Sequence, residues 1–246
     1  ETDLTTGGDI SYGTRFLSAG ISAAFTHYDK SLNPREAEYN KYAMRGKNFS
    51  SYSLHYNLSH KNISSKGEVA TTQTKALALI NTLKYTIGGQ TTLTSVLRSY
   101  SKKYNTPYAD CFKSSSTVNN EQGVFFGFTS EPLRFLSIQG YADFYRRPWP
   151  TYRYRAPLNG NEFCLEANVH NSRKAFISAE WKFTRKKCDK GYSADSVPQN
   201  RNQIKLQCGA VFGKLSTKTL VAAASTSNKG KSSHGWAVVQ RANYSN

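Results

Sequence analysis

SSYSLHYNLSH, residues 50–60, alternates between two kinds of side chain. One face of the extended segment would carry Tyr52, Leu54, Tyr56 and Leu58, and the other Ser51, Ser53, His55 and Asn57. This period of two predicts a β-strand with one apolar and one polar face. The same alternation recurs in FLSIQGYADFY (135–145), EFCLEANVH (162–170), AFISAEWKF (175–183) and QIKLQCGAVF (203–212). The chain is therefore predicted to be all-β.

Thirteen strands are predicted from this pattern. They run near 10–12, 16–28, 49–60, 63–73, 76–87, 91–104, 123–129, 135–146, 162–170, 175–185, 203–212, 217–226 and 235–244. Helical periodicity is weak throughout, although residue propensity alone would make a helix of ALALINTL, residues 76–83.

The predicted connections alternate between short and long. Those near 13–15, 61–62, 88–90, 130–134, 171–174 and 213–216 are tight, whereas those near 29–48, 105–122, 147–161, 186–202 and 227–234 are long and polar. The connection near 74–75 falls where the alternation calls for a long loop, but it is short. Outer-membrane barrels have short turns at one end and long loops at the other. The pattern predicts an up-and-down antiparallel transmembrane β-barrel that forms a single domain, residues 1–246.

A soluble β-sandwich or a lipocalin-like barrel would also show alternating strands. The regular segregation of loop lengths favours the membrane barrel over both. The second face of the strands carries Glu, Lys, Arg and His, as a water-filled lumen would. Because single-chain bacterial barrels close with even strand numbers, the odd count of thirteen predicts that the sequence is a fragment of a longer chain.

Composition points to a polyanionic partner. The 246 residues include 33 Lys+Arg and 16 Asp+Glu, for a formal net charge of +17. Such an excess suits lipopolysaccharide, anionic lipid or nucleic acid. The four cysteines (Cys111, Cys164, Cys188 and Cys208) form no CxxC pair, which argues against a zinc site and leaves any disulfide pairing open. No metal or cofactor is expected.

The middle of the chain resembles a known family. YSLHYNLSHKNISSKGEVA, ALINTLKYTI, VLRSYSKKYNTPYADCF, VNNEQGVFFGF and GYADFYRRPWPTYRYRAPLNGNEFCLEA follow one another in the order seen in helix-hairpin-helix domain-containing outer-membrane proteins of Bacteroidota. The resemblance covers roughly residues 20–246. It implies an outer-membrane barrel in a Gram-negative envelope. The helix-hairpin-helix module itself is not in this stretch, so direct nucleic-acid binding by this segment is not expected.

ADFYRRPWPTYRYRAP, residues 142–157, runs from a predicted strand into a long loop and combines arginine with aromatic residues. The candidates for anion contact in the lumen or at the rim are Arg146, Arg147, Arg153, Arg155, Arg98, Lys182, Lys205 and Arg241. The candidates for an interfacial aromatic belt are Tyr145, Trp149, Tyr152, Tyr154, Trp181 and Trp236.

Glu162, Glu166 and His170 share one face of a predicted strand, and Asp143 would face the same side from the neighbouring strand. This is the best acid–base grouping in the chain. Residues four apart on a strand are already roughly 13 Å apart, and Glu162 and His170 are farther apart than that, so the two cannot act on one bond. Pairing with inward lysine and arginine side chains is the simpler expectation, and no catalytic residue is assigned.

The sequence favours a non-enzymatic outer-membrane barrel, porin-like, that acts as a channel or as the scaffold of an envelope complex. Its cationic lumen or rim would face the lipid bilayer, lipopolysaccharide and other envelope proteins. Two alternatives stay open at this point: a barrel-wall hydrolase acting on lipid or polymer, and a soluble secreted β-protein that binds polyanions.

Overall fold

The computed structural model describes residues 3–152, 154–171, 174–189, 196–228 and 231–244, and these form one sheet. Thirteen strands lie side by side in chain order, and each neighbouring pair is antiparallel. The prediction of an all-β, up-and-down fold is confirmed. None of the described helical segments is long and apolar enough to cross a bilayer.

The strands are β1 (Asp3–Gly13), β2 (Leu17–Leu32), β3 (Gly46–His60), β4 (Ile63–Thr72), β5 (Leu77–Ile87), β6 (Thr91–Tyr100), β7 (Glu121–Leu133), β8 (Leu136–Arg147), β9 (Leu158–Asn171), β10 (Ala175–Asp189), β11 (Ser196–Phe212), β12 (Leu215–Asn228) and β13 (Lys231–Tyr244). A short 3-10 turn, Glu38–Asn40, lies between β2 and β3.

The connections separate by length as predicted, with two corrections. Residues 33–45, 101–120 and the described part of 148–157 form long loops at one end, whereas residues 14–16, 61–62, 88–90, 134–135 and 213–214 form tight turns at the other. The long loops predicted at 186–202 and 227–234 are wrong, because strand pairing continues to Asp189 and Ser196, and to Asn228 and Lys231. β1 likewise begins at Asp3 rather than near residue 10. Backbone pairing persists where both strand faces turn polar, so side-chain alternation alone underestimates these strands.

One face of the sheet is apolar and exposed. Ile10, Ile21, Leu54, Val69 and Leu79 are aligned by cross-strand pairing from β1 to β5, and each is at least 41% exposed. Soluble monomers rarely expose contiguous apolar patches larger than a few hundred Å². A continuous exposed aliphatic row instead suits a sheet whose outer face meets hydrocarbon.

The residues next to this aliphatic row, on the opposite face of the sheet, are mostly polar or have small side chains. Its row runs through Asp9, Ser22, Ser53, Ala70, Ala78, Tyr100 and Glu121 from β1 to β7. Exposure falls along this row until Glu121 is fully buried. This is the inner face of the sheet.

Contacts between distant loops show that the sheet is curled. The indole Nε1 of Trp149, after β8, donates a hydrogen bond of 3.0 Å to the carbonyl oxygen of Glu38, before β3. The rings of Tyr39 and Tyr152 lie 5.5 Å apart. In a flat sheet, β3 and β8 would be about 24 Å apart, at about 4.8 Å per strand. The sheet therefore wraps around a lumen, and β1 and β13 form its two edges, which fits a barrel that is not fully closed.

The small hydrophobic core lies inside this lumen. Tyr104 and Val118, from the loop after β6, pack against Ala70 and Ala78 on the inner wall and against Ala76, just before β5. Because alanine leaves space beside the wall, the loop can enter the lumen rather than lie over its mouth. The loop 101–120 is called the inner loop below.

The division into two faces predicts opposite effects for neighbouring residues. Ile204 is an exposed residue of the outer face at the middle of β11, and Gln203 is its inward neighbour. We expect Ile204→Lys to lower the free energy of unfolding in lipid vesicles by about 2–4 kcal/mol, the cost of a lysine near the bilayer midplane. Gln203→Lys should change it by about 0.5 kcal/mol or less. Urea titration followed by gel mobility measures both, and equal effects would contradict the assignment of faces.

Candidate functional site in the lumen

A buried ion cluster lies on the inner face of β6, β7 and β8. The Nε atom of Arg98 donates to the Glu121 carboxylate at 2.6 Å. Its two terminal nitrogens donate to the two oxygens of Asp143, at 2.8 and 3.0 Å. All three residues are buried. Each charged group has a partner of opposite charge, and the paired contacts to Asp143 use the planar fork that arginine matches to a carboxylate.

Gly123 makes room for the arginine. It pairs with Arg98 across β6 and β7, and a Cβ atom at this position would lie 2.6 Å from the guanidinium carbon. The Phe112 ring approaches Arg98 from the inner loop, with the guanidinium carbon 4.9 Å from the ring centroid. Gly123 thus leaves the space in which the Arg98 guanidinium lies against the wall, and the Phe112 ring covers it from the loop.

Glu121 also fixes the inner loop. Its Oε1 accepts from the Ser114 backbone N–H at 2.9 Å, and its Oε2 accepts from the Ser114 hydroxyl at 2.6 Å. Arg147 lies nearby, with Nε 3.6 Å from Oε2 and a terminal nitrogen 3.1 Å from the Ser114 oxygen. One buried carboxylate therefore joins a wall arginine, a second arginine and the loop backbone. Arg98, Glu121, Asp143 and Arg147 are called the Arg98 cluster.

The inner loop is anchored a second time at Tyr100. The Tyr100 hydroxyl donates to the Phe112 carbonyl oxygen at 2.8 Å and accepts from the Cys111 thiol at 3.1 Å. Burial raises the pKa of the Cys111 thiol, and it raises the pKa of Tyr104 to about 12. A cavity of about 280 Å³ remains between this part of the loop and the inner wall of β2 to β6.

Asn120 connects the inner loop to the loop after β8. Its side-chain amide donates to the Trp149 carbonyl oxygen and accepts from the Trp149 backbone N–H, each at 2.8 Å. Asn120 has a φ of 52°, in the left-handed region that asparagine adopts more readily than most residues. The turn into β7 and the approach of Trp149 thus depend on one residue.

A second feature of the lumen is a strongly basic wall. Among the described side chains of β10 to β13, the pairing register places one acidic residue, Glu180, on the inner face. The basic residues on that face are Lys182, Lys186, Arg201, Lys205, Lys218, Lys231 and Arg241. Lys205 binds Glu180 and Lys182 binds Glu162, each at 2.7 Å. These pairs are partly exposed, so they lie in a solvated part of the lumen. This surface is called the basic wall.

The predicted anion-contact residues fall in different places. Arg98 and Arg147 belong to the Arg98 cluster, and Lys182, Lys205 and Arg241 lie on the basic wall. Arg146 lies at the rim end of β8, where its register with Gln122 places it on the outer face. Arg155 is exposed in the loop after β8, and Arg153 lies outside the described residues.

The predicted aromatic belt needs correction. Tyr145 is buried on the inner face, because its register partner Gly160 leaves space for the ring. Trp149 packs against Tyr42, with ring centroids 4.9 Å apart. Tyr152 and Tyr154 lie in the same loop. Trp181 and Trp236 do lie on the outer face, but near the middle of their strands rather than at the ends.

The acid–base grouping is present on one face but is not assembled as a site. Asp143 pairs in register with Glu162; the first is bound by Arg98 and the second by Lys182 and the Tyr141 hydroxyl. Glu166 accepts from Gln139. His170 lies eight residues along β9 from Glu162, about 27 Å in an extended strand. The carboxylates are thus engaged in ion pairs and hydrogen bonds.

Sequence reasoning missed the residues that organise the lumen. Ser114, Asn120, Glu121 and Gly123 were not site candidates, although NNEQG (119–123) contains three of them. One sequence feature could have pointed to them: a charged residue, Glu121, is followed two positions later by a glycine, Gly123, at the start of a strand. The role of Glu121 depends on Arg98, which is more than twenty positions earlier in the chain.

No known family model matches the chain, and no curated protein matches it. The resemblance to helix-hairpin-helix domain-containing outer-membrane proteins of Bacteroidota therefore stays a prediction. Among solved structures, the chain is similar to OmpT (in-vitro folded), an outer membrane protein of Vibrio cholerae. The TM-score is 0.47 at 8% identity, with 97% of this chain and 86% of that chain covered. The class of fold follows from the chain's own geometry: an up-and-down antiparallel sheet with an exposed apolar outer face and a polar inner face is the architecture of an outer-membrane β-barrel.

The expectation that the chain is not an enzyme needs correction. One fold hosts unrelated functions, so the exclusion of an enzymatic activity, which rested on missing sequence motifs, is withdrawn.

Gly123→Ala tests the packing of the Arg98 cluster. The added methyl group would displace the guanidinium from Asp143, and we expect a loss of about 1–3 kcal/mol in unfolding free energy, as for other overpacked sites. Gly8→Ala is the matched control, because a Cβ there meets no atom within 4 Å. Equal stability of the two variants in urea titrations would show that Arg98 is not confined as described.

Cys111 reports whether the inner loop stays folded into the lumen. A raised pKa leaves less thiolate at a given pH, and the thiolate is the reactive form. In a variant with Cys164, Cys188 and Cys208 changed to Ser, N-ethylmaleimide should therefore react with Cys111 at pH 8 more slowly than with free cysteine. The rate should still rise above pH 9. A rate equal to that of free cysteine would mean that the loop lies outside.

Proposed function

We propose that this protein is an outer-membrane channel that favours anions and that the inner loop narrows its lumen. The observation that carries the proposal is the pairing of an apolar outer face with a basic, partly solvated inner wall on β10 to β13. Charged residues at membrane depth face protein interiors or water-filled pathways, since contact with lipid is costly.

The basic wall supports anion preference. Its basic residues outnumber its single acidic residue, Glu180, among the described side chains. The exposed fractions of Lys205 and Lys182, 42% and 29%, leave both ammonium groups within reach of water and passing ions. Rings or walls of like charge set the selectivity of aqueous pores.

The inner loop supports a narrowed lumen. It fills the space beside β4 to β6 with Tyr104 and Val118 and is held by the buried carboxylate of Glu121. Leaving a buried acceptor without its donors costs about 1–3 kcal/mol, and more for a charged group. That cost favours a loop that remains in the lumen under ordinary conditions. A scaffold would need neither a solvated inner wall nor a loop fixed inside it.

The outer membrane is the proposed location because a sheet with an apolar outer face requires a bilayer around it. Lipid would contact the face that carries Ile10, Ile21 and Leu54, and the long loops would lie at the outer surface by analogy with other barrels of this class. Contacts with lipopolysaccharide through the basic rim, and with other envelope proteins, belong to the same proposal.

The channel proposal is tested by ion selectivity in planar bilayers. Under a KCl gradient, the full chain should pass chloride in preference to potassium. Lys182→Gln and Lys205→Gln together should lower the chloride-to-potassium permeability ratio about twofold or more, because Glu162 and Glu180 lose their counter-charges while wall charge sets selectivity. Lys187→Gln is the matched control, since Lys187 lies on β10 with the opposite orientation.

Two results would count against the channel. One is a folded, membrane-inserted chain that passes no current. The other is a permeability ratio that changes equally with Lys187→Gln and with the inner-wall variants.

A further inference from the structure

A pocket lies where three long loops meet at the mouth of the lumen. It has a volume of about 720 Å³, and its lining includes Tyr39, Tyr42, Lys102, Arg147, Trp149 and Tyr152. Pockets of about 300–1,000 Å³ are typical of small-ligand sites. The residues come from the loops 33–45 and 101–120, from the described part of the loop 148–157, and from β8 and β10, so the pocket exists because the sheet is curled. It is called the rim pocket.

Lysine side chains are concentrated around two aromatic rings of this pocket. The Lys102 ammonium lies 4.2 Å from the Trp149 ring centroid and 5.0 Å from that of Tyr42. Lys41 lies 5.5 Å from the Trp149 ring, and Lys103 lies 5.8 Å from the Tyr42 ring. Cation–π contacts hold several like charges close to one another. Within the described residues, none of these three lysines forms an ion pair.

The residues that line the rim pocket include no Asp or Glu. The nearest cluster carboxylate, Glu121, is already engaged by Arg98 and Ser114. Arg147 adds positive charge at the inner side of the pocket. A concave site with clustered cations and no lining carboxylate concentrates anions by field focusing. The pocket is therefore built to receive negative charge from outside the chain.

The other lining groups suit a sugar. Tyr152 is 80% exposed and Tyr39 is 36% exposed, which leaves aromatic surface for the apolar face of a sugar ring. Hydroxyl groups of Ser115, Ser116 and Thr117 and the amide of Asn119 line the same space. Polar groups that both donate and accept hydrogen bonds match the hydroxyl groups of a saccharide. A simple anion would use the charges alone.

We propose that the rim pocket binds a soluble oligosaccharide that carries carboxylate groups, of the uronate class. Lys102 contacts a carboxylate, Lys41 and Lys103 add positive charge beside the same two aromatic rings, and Tyr39 and Tyr152 contact the sugar rings. The inference goes beyond the channel: it concerns ligand capture at the mouth and holds whether or not the lumen conducts ions.

Trp149 is the natural reporter of binding because two of the lysines lie over its ring. In a variant of the full chain with Trp181→Phe and Trp236→Phe, Trp149 is the remaining tryptophan. Its emission should change saturably when tetragalacturonate is added. The neutral oligomer maltotetraose should produce no change at the same concentration, and inorganic phosphate should bind about tenfold or more weakly than tetragalacturonate. Binding of tetragalacturonate should weaken as salt is added, since salt screens exposed charges.

Lys102→Gln in this background should weaken tetragalacturonate binding about fivefold or more, whereas Lys102→Arg should retain it, because arginine keeps the charge and the ring contact. Lys84→Gln is the control for net charge. Lys84 is an exposed inward lysine of β5 towards the tight-turn end, far along the strand from the loops. Calorimetric titration gives the affinities independently of the fluorescence.

Four outcomes would overturn the proposal: equal binding of maltotetraose, equal binding of inorganic phosphate, equal weakening by Lys102→Gln and Lys84→Gln, or no saturable response to tetragalacturonate. If vesicles that contain lipopolysaccharide bind while tetragalacturonate does not, the pocket recognises the membrane leaflet instead and the soluble-ligand proposal fails. Conductance of the Lys102→Gln variant is measured separately, so loss of ligand binding and loss of the channel are distinguishable.

Discussion

A sheet can lie in hydrocarbon only if its backbone N–H and C=O groups are paired and its lipid-facing side chains are apolar. The thirteen-stranded register meets the first requirement along twelve strand pairs, and the exposed aliphatic rows meet the second. Because the side-chain period of a strand is two, the same register that turns Ile21 and Leu54 outward turns Ser22 and Ser53 inward. The polar lumen is thus a geometric consequence of the apolar outer face.

The inner face is not uniform around the sheet. On β4 to β6 its small residues accept the inner loop, on β6 to β8 the Arg98 cluster fixes that loop, and on β10 to β13 the basic wall stays partly solvated. Packing of the inner loop, anchoring of that loop and the concentration of positive charge therefore occur in different sectors of one lumen. Glu121 is the residue at which the first two meet, since it binds both Arg98 and Ser114. The rim pocket adds a fourth sector where the long loops converge.

The sequence was sufficient to predict the class of fold, the number of strands and the alternation of tight turns and long loops. It succeeded even for ALALINTL, whose helical propensity is overridden by pairing of β5 with both neighbours. The two wrong loops lie where β10 to β13 extend beyond the apolar band and both faces become polar. Alternation of hydrophobicity reports burial in lipid, not the end of backbone pairing.

Site prediction was weaker because the site depends on contacts between strands and loops far apart in the chain. The alternation of side chains along each strand was enough to place three basic residues on the inner face: Lys182, Lys205 and Arg241. The same alternation places Tyr145 on the face of Asp143, but the room for its buried ring depends on Gly160 of the next strand. The role of Glu121 required knowing that residues 101–120 turn into the lumen. The alternation of side chains along a strand predicts which face a residue lies on. A site also depends on the register between strands and on the path of the loops.

The most direct test of the central claim uses the three tryptophans as depth probes in lipid. Trp181 and Trp236 lie on the outer face near mid-strand, whereas Trp149 lies in a loop. In single-tryptophan variants made by Phe substitution and reconstituted in bilayers brominated midway along the acyl chains, emission from Trp181 and Trp236 should be strongly quenched and emission from Trp149 should not. Equal quenching of all three, or none, would contradict a sheet whose apolar face looks into the membrane.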